Sequence, residues 1–276
     1  MSFGWGKCEG QSLSVDGVSL ECASWGSPPD KAPTIILLHE GLGSVAMWKD
    51  FPKKLTEKTG FGVFAYSRAG YGQSDPVLMP RPVDYMQREA QNTLPPILDQ
   101  IGFQRGILFG HSDGATIASS YAASVSDQRV RGLILMAPHF FTEAMGLDAI
   151  SAAKSAYETG NLKERLGKYH KDVDIAFNGW NAVWLNPEFQ DMNVADCIDH
   201  WRVPVLAIQG REDQYGSLAQ INEIKDRIYS PLEIAILEQC GHAPHFEQSG
   251  KTLEVIKEFT ATLERLEQVQ VPTTAV

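Results

Sequence analysis

Short apolar runs recur along the chain and predict buried strands. The run at 34–38 reads Thr-Ile-Ile-Leu-Leu, and such a β-branched, apolar stretch is typical of a strand buried on both faces. An Asp16-Gly17 pair between apolar neighbours predicts a hairpin turn near the start of the chain. Similar apolar runs lie at 62–66, 106–109, 133–136, 205–208 and 234–237.

Segments of helical length separate most of these runs, among them 83–100 and 115–125. Strands that alternate with helices predict an α/β fold, in which a mostly parallel sheet carries helices on both faces. Residues 139–202 interrupt the alternation, because they contain no strand run. They contain amphipathic helical stretches at 147–159 and 162–170 and many aromatic residues, which together predict a helical lid over the active edge of the sheet.

The predicted organisation is one core domain with one insertion. We expect the core to comprise residues 1–138 and 203–268, and the lid or cap to comprise residues 139–202. The last residues, 269–276, are mostly polar or small and predict a frayed tail. A chain of 276 residues is long enough to bury one large core.

Charge and cysteine usage restrict the partners that we expect. The chain carries 24 Lys and Arg against 34 Asp and Glu, a net charge of −10, and it has no basic tract. This balance argues against nucleic acid and anionic membranes as partners and leaves a small-molecule substrate. The four cysteines lack C-x-x-C spacing, and no apolar run is long enough for a membrane span, so we expect a cytoplasmic protein. The sequence leaves a monomer and a homodimer as open alternatives.

The candidate chemistry begins at 110–114, Gly-His-Ser-Asp-Gly, which lies between a predicted strand and a helix rich in small residues. A serine at such a corner adopts a strained backbone that exposes its hydroxyl, and flanking glycines relieve the crowding. Ser112 needs a base and an orienting acid to act as a nucleophile. His242 and Asp213 each follow a predicted strand, at the edge where ligand groups of parallel sheets collect. Glu212, next to Asp213, is the alternative acid.

Four motifs in this order resemble those of the α/β-hydrolase superfamily, in its lid-bearing serine branch. They are the His39 to Gly43 loop, the Ser67 to Ser74 turn, the elbow around Ser112, and the Gly210-x-x-Asp213 and Gly241-His242 pair. The resemblance implies an eight-stranded sheet with the lid inserted after the sixth strand.

The resemblance also implies roles for individual residues. Ser112 would be the nucleophile, His242 the general base and then acid, and Asp213 the acid that orients the imidazole. The backbone N–H groups of Gly41 and Asp113 would form the oxyanion hole, with Leu42 as the alternative to Gly41.

Glu40 departs from the superfamily pattern, because most relatives have glycine at this position. A carboxylate beside an oxyanion hole opposes the developing negative charge unless it is paired and turned away. We therefore expect an ion pair between Glu40 and Arg68, and a direct role for Glu40 at the substrate is the alternative.

Other residues are candidates for substrate contact or for packing. Leu42, His139, Trp180 and Trp184 are the candidate substrate-binding residues, although a packed histidine and core aromatics are the plainer interpretation of the last three. His242 and His245 lack the helix and glutamate of a zinc motif, so we expect no metal and no cofactor. Cys240 lies close to His242, and a packing role is expected for it.

A serine at position 112 argues against the dehalogenase and epoxide hydrolase reactions of the superfamily, which need a carboxylate nucleophile. We expect a carboxylesterase that works through an acyl-enzyme. Hydrolysis of a C–C bond in vinylogous diketone acids is the alternative, and it requires a cation for the substrate carboxylate. A non-catalytic binding protein of the same fold is the third interpretation.

Overall fold

One mixed sheet of eight strands forms the centre of the molecule in a computed structural model that describes residues 4–6, 8 and 10–268. The strand order is β1-β2-β4-β3-β5-β6-β7-β8. Strand β1 is antiparallel to β2, and β2 is antiparallel to β4. The other neighbouring strands, from β4 across the sheet to β8, are parallel to one another. The strands are β1 (Gln11–Val15), β2 (Val18–Trp25), β3 (Thr34–Leu38), β4 (Gly62–Tyr66), β5 (Gly106–His111), β6 (Val130–Met136), β7 (Val205–Gly210) and β8 (Leu232–Leu237).

The predicted hairpin joins β1 to β2. Asp16 and Gly17 both have positive φ, 49° and 82°, which is the requirement of a two-residue type I′ turn. The predicted α/β class and the eight-stranded, mostly parallel sheet are confirmed.

Helices cover both faces of the sheet. They are α1 (Phe51–Thr59), α2 (Tyr85–Arg88), α3 (Leu94–Gln100), α4 (Asp113–Ser124), α5 (Ala144–Thr159), α6 (Leu162–Leu166), α7 (Val173–Trp184), α8 (Ala219–Arg227), α9 (Pro244–Glu247) and α10 (Ser249–Gln268). Alternate residues of β3 enter two different apolar clusters: Ile35 and Leu37 pack towards α1 and α10, and Ile36 and Leu38 pack towards α3 and α4. This alternation follows from the two-residue period of a strand.

The prediction of a buried strand at 234–237 is wrong in one respect. This run lies in β8, which is an edge strand of the sheet, and Ile234 is 41% exposed. An edge strand has a neighbour on one side only, so an apolar run there is less fully covered than in β3, β4 or β5, whose residues are all buried.

Helices α5, α6 and α7 lie between β6 and β7, together with a 3₁₀ turn at Ala195–His200. We call residues 139–202 the cap segment. The predicted helix at 162–170 ends at Leu166, and turns follow it. The division into a core of 1–138 and 203–268 and a separate cap stays a prediction, and the predicted tail at 269–276 lies outside the described residues. Within the described residues, no helix is both long and apolar enough to cross a membrane.

Candidate active site

Ser112 occupies the sharp corner between β5 and α4. Its φ is +53° and its ψ is −118°, a conformation that non-glycine residues rarely adopt. The two flanking positions must be glycine, because neighbouring backbone atoms lie too close to leave room for a Cβ. A Cβ at Gly110 would lie 2.1 Å from the Gly114 carbonyl oxygen, and a Cβ at Gly114 would lie 2.0 Å from the Leu38 carbonyl oxygen. The corner therefore holds a strained serine that larger neighbours would displace.

His242 and Asp213 form a hydrogen-bonded pair in the loops that follow β8 and β7. The Nδ1 atom of His242 lies 2.8 Å from Oδ2 of Asp213 and 3.0 Å from its Oδ1. A carboxylate only accepts, so Nδ1 carries the proton and Nε2 is the basic nitrogen. Both His242 and Ser112 contribute to the wall of one cavity.

Asp213 is itself held by its surroundings. Its Oδ2 accepts a hydrogen bond from the Gln209 amide at 2.8 Å, and its Oδ1 accepts one from the Tyr215 N–H at 2.8 Å. Burial alone would raise the pKa of Asp213, but the hydrogen bond and charge of His242 keep that pKa below its ordinary value. The Glu212 side chain is exposed and makes no hydrogen bond or ion pair with His242. The structure therefore pairs Asp213, and not Glu212, with the histidine.

The predicted oxyanion donors are free to bind a ligand. Within the described residues, the N–H groups of Gly41, Leu42 and Asp113 donate no hydrogen bond to the protein. Asp113 is the first residue of α4, where the helix dipole favours negative charge. Leu42 and Gly41 stay alternative partners for Asp113.

A cavity of about 150 Å³ lies between the elbow and the cap segment. Its lining is mainly apolar and aromatic, apart from the candidate catalytic groups. The lining residues are Glu40, Gly41, Leu42, Ser112, His139, Ile150, Trp180, Trp184, Tyr215 and His242. The four predicted substrate-binding residues are thus all brought to the cavity. Ile150 and Tyr215 were missed, although the position of Tyr215, two residues after Asp213 in the same loop, was a usable signal.

The cap segment directly contacts the loop that follows β3, residues 39–43. The indole of Trp180 packs so closely on Gly41 that a Cβ there would lie 2.2 Å from the indole nitrogen. The ring of His170 accepts a hydrogen bond from the Gly72 N–H at 3.0 Å and donates one to the Leu42 carbonyl at 2.9 Å. These contacts therefore hold the cap segment against the loop that follows β3.

Known proteins match this arrangement of sheet, elbow and loops. A sequence profile described as the alpha/beta hydrolase fold matches residues 33–151. A proline iminopeptidase of Lactobacillus delbrueckii subsp. bulgaricus is 22% identical, over 86% of this chain and 92% of its own. A 2-hydroxy-6-oxo-6-phenylhexa-2,4-dienoate hydrolase of Comamonas testosteroni is 22% identical, over 79% of this chain and 84% of the length of that hydrolase. The enol-lactonase structure from Burkholderia xenovorans LB400 superposes with a TM-score of 0.71 at 19% identity, over 91% of this chain and 100% of the lactonase. The chain has the α/β-hydrolase fold.

The expected Glu40–Arg68 ion pair is wrong. The Arg68 guanidinium donates to the backbone carbonyls of His39 and Glu40, at 2.6 and 3.0 Å, and lies 3.6 Å from the Asp113 carboxylate. The Glu40 side chain turns the other way, and its Oε2 lies 3.6 Å from Nδ1 of His111. Burial would raise the pKa of Glu40, but His111 keeps it below its ordinary value. Glu40 is therefore a carboxylate at the cavity wall.

His111 and His139 pack around the histidine of the pair. His111 donates from Nε2 to the His242 carbonyl at 2.7 Å, because a carbonyl only accepts. The ring of His139 lies 5.7 Å from that of His242, and burial lowers the pKa of His139 to about 3. His139 is therefore neutral at pH 7, and its imidazole is a polar but uncharged part of the cavity wall.

The remaining candidates are packing residues. His245 is buried against the rings of Trp48, Phe51 and His111. Among the described residues, no group of three or more His, Cys, Asp or Glu has the arrangement of a metal site. Cys240 is buried, and burial raises the pKa of its thiol to about 11, so this thiol is protonated at neutral pH.

Proposed function

We propose that this α/β-hydrolase cleaves a small, uncharged carboxylic ester through an acyl-enzyme on Ser112. The observation that carries the proposal is the convergence of Ser112 and His242 on one small cavity, with Asp213 bound to the far nitrogen of His242. This is the arrangement in which a serine gains a base and the base gains an orienting acid.

The geometry supports the following sequence of steps. Nε2 of His242 takes the hydroxyl proton as Oγ of Ser112 attacks the ester carbonyl carbon. The N–H groups of Gly41 and Asp113 bind the oxyanion of the tetrahedral intermediate. His242 then gives the proton to the leaving alcohol, and water repeats the sequence on the acyl-enzyme to release the acid and free Ser112.

The charge of the cavity wall favours an ester over the C–C substrate. Among the described residues, no lysine or arginine lines this cavity, and Glu40 contributes a carboxylate. A diketone acid substrate would bring its own carboxylate into this wall without a cation to pair with it, which is costly in a desolvated site. We therefore keep C–C hydrolysis as the less favoured reaction, despite the resemblance to the dienoate hydrolase.

Glu40 also supports a second candidate, which is cleavage of an acyl group that carries an amine. The proline iminopeptidases are relatives over most of the chain, and a carboxylate at the wall would attract an ammonium group. The same serine chemistry would then act on an amide or ester whose acyl part is cationic.

We further propose that the cap segment, 139–202, acts as a lid over the core formed by 1–138 and 203–268. Its share of the cavity wall is formed by His139, Ile150 of α5 and both tryptophans of α7. The side chains that this lid presents set the size of the acyl or alcohol group that fits.

A panel of substrates that differ in charge and in the bond to be cleaved tests the proposal. We would compare neutral p-nitrophenyl acetate and butyrate, a p-nitrophenyl hemisuccinate that carries a carboxylate, proline p-nitroanilide, and a dienoate C–C substrate. The expected result is the highest kcat/KM on a neutral ester and loss of that activity in Ser112→Ala.

Each other outcome overturns part of the proposal. Faster turnover of the dienoate would replace the ester assignment with C–C hydrolysis. A preference for the proline anilide would favour the amine-bearing class. Turnover of none of them, with an unreactive Ser112, would support a binding protein.

A further inference from the structure

Three donors hold the carbonyl oxygen of Glu40. Arg68 Nη2 donates to it at 3.0 Å, His39 Nδ1 at 2.7 Å and the Gly43 N–H at 3.1 Å. This carbonyl belongs to the same peptide group as the Gly41 N–H. Because a peptide group is planar, fixing its oxygen also fixes the direction of its N–H.

The same guanidinium reaches the residue that carries the second donor. Arg68 Nη2 lies 3.6 Å from Oδ2 of Asp113, and this oxygen also accepts a hydrogen bond from the Tyr85 hydroxyl. Arg68 is 1% exposed and Asp113 is fully buried. One buried cation therefore contacts the peptide before Gly41 and the side chain of Asp113.

A hydrogen bond at the carbonyl oxygen also changes the N–H at the other end of the peptide. It draws electron density towards the oxygen and makes the N–H a stronger donor, an effect that is larger where the local dielectric constant is low. A buried guanidinium is expensive to desolvate, so a contact with two backbone carbonyls is more than incidental packing.

We propose that Arg68 is the positioning residue of the oxyanion hole, which aligns the Gly41 and Asp113 N–H groups and strengthens the Gly41 donor through the Glu40 carbonyl. The inference rests on the proposed acyl transfer at Ser112. Arg68 does not touch the substrate in this account. It acts through the Glu40–Gly41 peptide and through the Asp113 side chain, and His39 supports the first of these contacts.

The test compares an ester with its thionoester, in which sulfur replaces the carbonyl oxygen. Sulfur is larger and accepts hydrogen bonds poorly, so a well-aligned oxyanion hole favours the ester. Arg68→Lys keeps the charge and loses the two-pronged contact. We expect its kcat on the ester to fall about 10- to 100-fold, with KM within about threefold, since loss of one oxyanion donor costs about 10²- to 10³-fold. The ester-to-thionoester ratio should fall by about tenfold.

Arg81→Lys is the matched control. Arg81 is also buried, and both guanidinium groups lie over the Tyr71 ring, at 5.0 Å for Arg68 and 4.9 Å for Arg81. Arg81 donates to the Ala69 carbonyl, but it has no hydrogen bond or ion pair with Glu40 or Asp113. Arg81→Lys should lose about as much stability as Arg68→Lys and keep the ester-to-thionoester ratio of the wild type. Active-site titration with a fluorophosphonate and a melting curve establish the folded fraction of each variant.

A second pair of variants serves if Arg68→Lys does not fold. His39→Asn places an amide N–H near the position of Nδ1, whereas His39→Leu removes that donor. The ratio should fall in His39→Leu and recover in His39→Asn.

An unchanged ester-to-thionoester ratio in folded Arg68→Lys, or equal ratios in the two His39 variants, would overturn the inference and leave Arg68 as a structural brace. A wild-type protein without ester turnover and without label on Ser112 is a different result, because it overturns the proposed function itself and the inference falls with it.

Discussion

Asp213 carries the most specific prediction at the scale of single residues. Its carboxylate orients His242 by accepting a hydrogen bond from Nδ1, so Asp213→Asn presents an amide that favours the wrong imidazole tautomer. We expect kcat to fall by about 10³- to 10⁴-fold with little change in folding. Steady-state kinetics on the best ester, with Ser112 titrated by a fluorophosphonate, would measure the change.

Glu212→Gln is the control for this substitution. It removes the neighbouring carboxylate, which is exposed and does not contact His242. Its kcat should stay within about twofold of the wild type, and a loss comparable to that of Asp213→Asn would mean that the acid has been wrongly assigned.

Gly41 tests the contact between the loop that follows β3 and the cap segment. A methyl group there would lie 2.2 Å from the Trp180 indole nitrogen, so either the loop or the indole must move. Gly41→Ala should lower kcat by about 10²-fold, the order expected for a displacement of about 1 Å in an active site. Kinetics of the double variant Gly41→Ala/Trp180→Leu provide the check, because removing the indole should restore at least part of the activity. Equal activity in the single and double variants would contradict the packing argument.

The sequence allowed some of these residues to be predicted and hid others. The Gly210-x-x-Asp213 offset favoured Asp213 over Glu212, and the structure pairs Asp213 with His242. The direction of the Glu40 side chain could not be predicted, because it depends on where His111 and Arg68 lie in three dimensions. The polarised Glu40 peptide was equally hidden, since a contact between a guanidinium and a backbone carbonyl leaves no pattern in the residue types.

At the scale of secondary-structure elements, α7 sets the size of the cavity. Trp180 and Trp184, one turn apart on this helix, both line it. Trp180→Ala should enlarge the cavity and shift the preferred p-nitrophenyl ester to a longer acyl chain. A series from acetate to octanoate would measure this shift as the ratio of kcat/KM values.

Val183→Ala is the matched control on the same helix. Val183 is buried but does not line the cavity, so its truncation should lower stability by about 1–3 kcal/mol and leave the chain-length preference unchanged. An identical preference in wild type and Trp180→Ala would show that α7 does not form the pocket in solution.

Elements with strong local signals were predicted closely, and those shaped by tertiary contacts were not. The bounds of β3 and β4 match the predicted runs at 34–38 and 62–66, because such apolar runs are buried wherever the sheet forms. The predicted helix at 83–100 is in fact interrupted by a π-helical turn at Glu89–Thr93. Pro95 and Pro96 follow this turn, and a proline removes a backbone donor and clashes with the preceding turn, which explains the widened geometry.

At the scale of the whole molecule, buried neutral histidines make stability depend on pH. Burial lowers the pKa values of His39, His139, His170 and His245 in the folded state, whereas all four titrate near 6.5 when the chain is unfolded. The unfolded state therefore binds more protons below about pH 6.5, and stability is full above that pH and is lost as the pH falls. Each histidine contributes at most about 1.4 kcal/mol per pH unit, and only between its folded pKa and the unfolded value near 6.5.

Urea unfolding at pH 7.5, 6.5 and 5.5 measures this dependence. Asp113 and Glu89 act in the opposite direction, because burial raises their pKa values, but they are two groups against four. We expect the free energy of unfolding to fall clearly between pH 6.5 and 5.5. A flat or rising free energy over that interval would contradict the assignment of these histidines as neutral.

The assembly of the site is a property of the fold as a whole. The elbow after β5, the loops after β7 and β8 and the loop after β3 all lie at the same edge of the sheet, since parallel strands bring their carboxyl ends together. This grouping could be predicted from the order of apolar runs. The closeness of the cap to the loop after β3, through Trp180 and His170, could not, because the docking of inserted helices depends on tertiary packing.

The most direct test of the central claim, acyl transfer through Ser112, is intact-mass spectrometry after treatment with a fluorophosphonate, followed by peptide mapping. The account predicts one adduct per chain, located on Ser112, formed in parallel with the loss of ester hydrolysis and absent from Ser112→Ala. His242→Ala should slow its formation by several orders of magnitude, because Ser112 then lacks its base. An unlabelled Ser112, or an active enzyme that carries its label on another residue, would contradict the account.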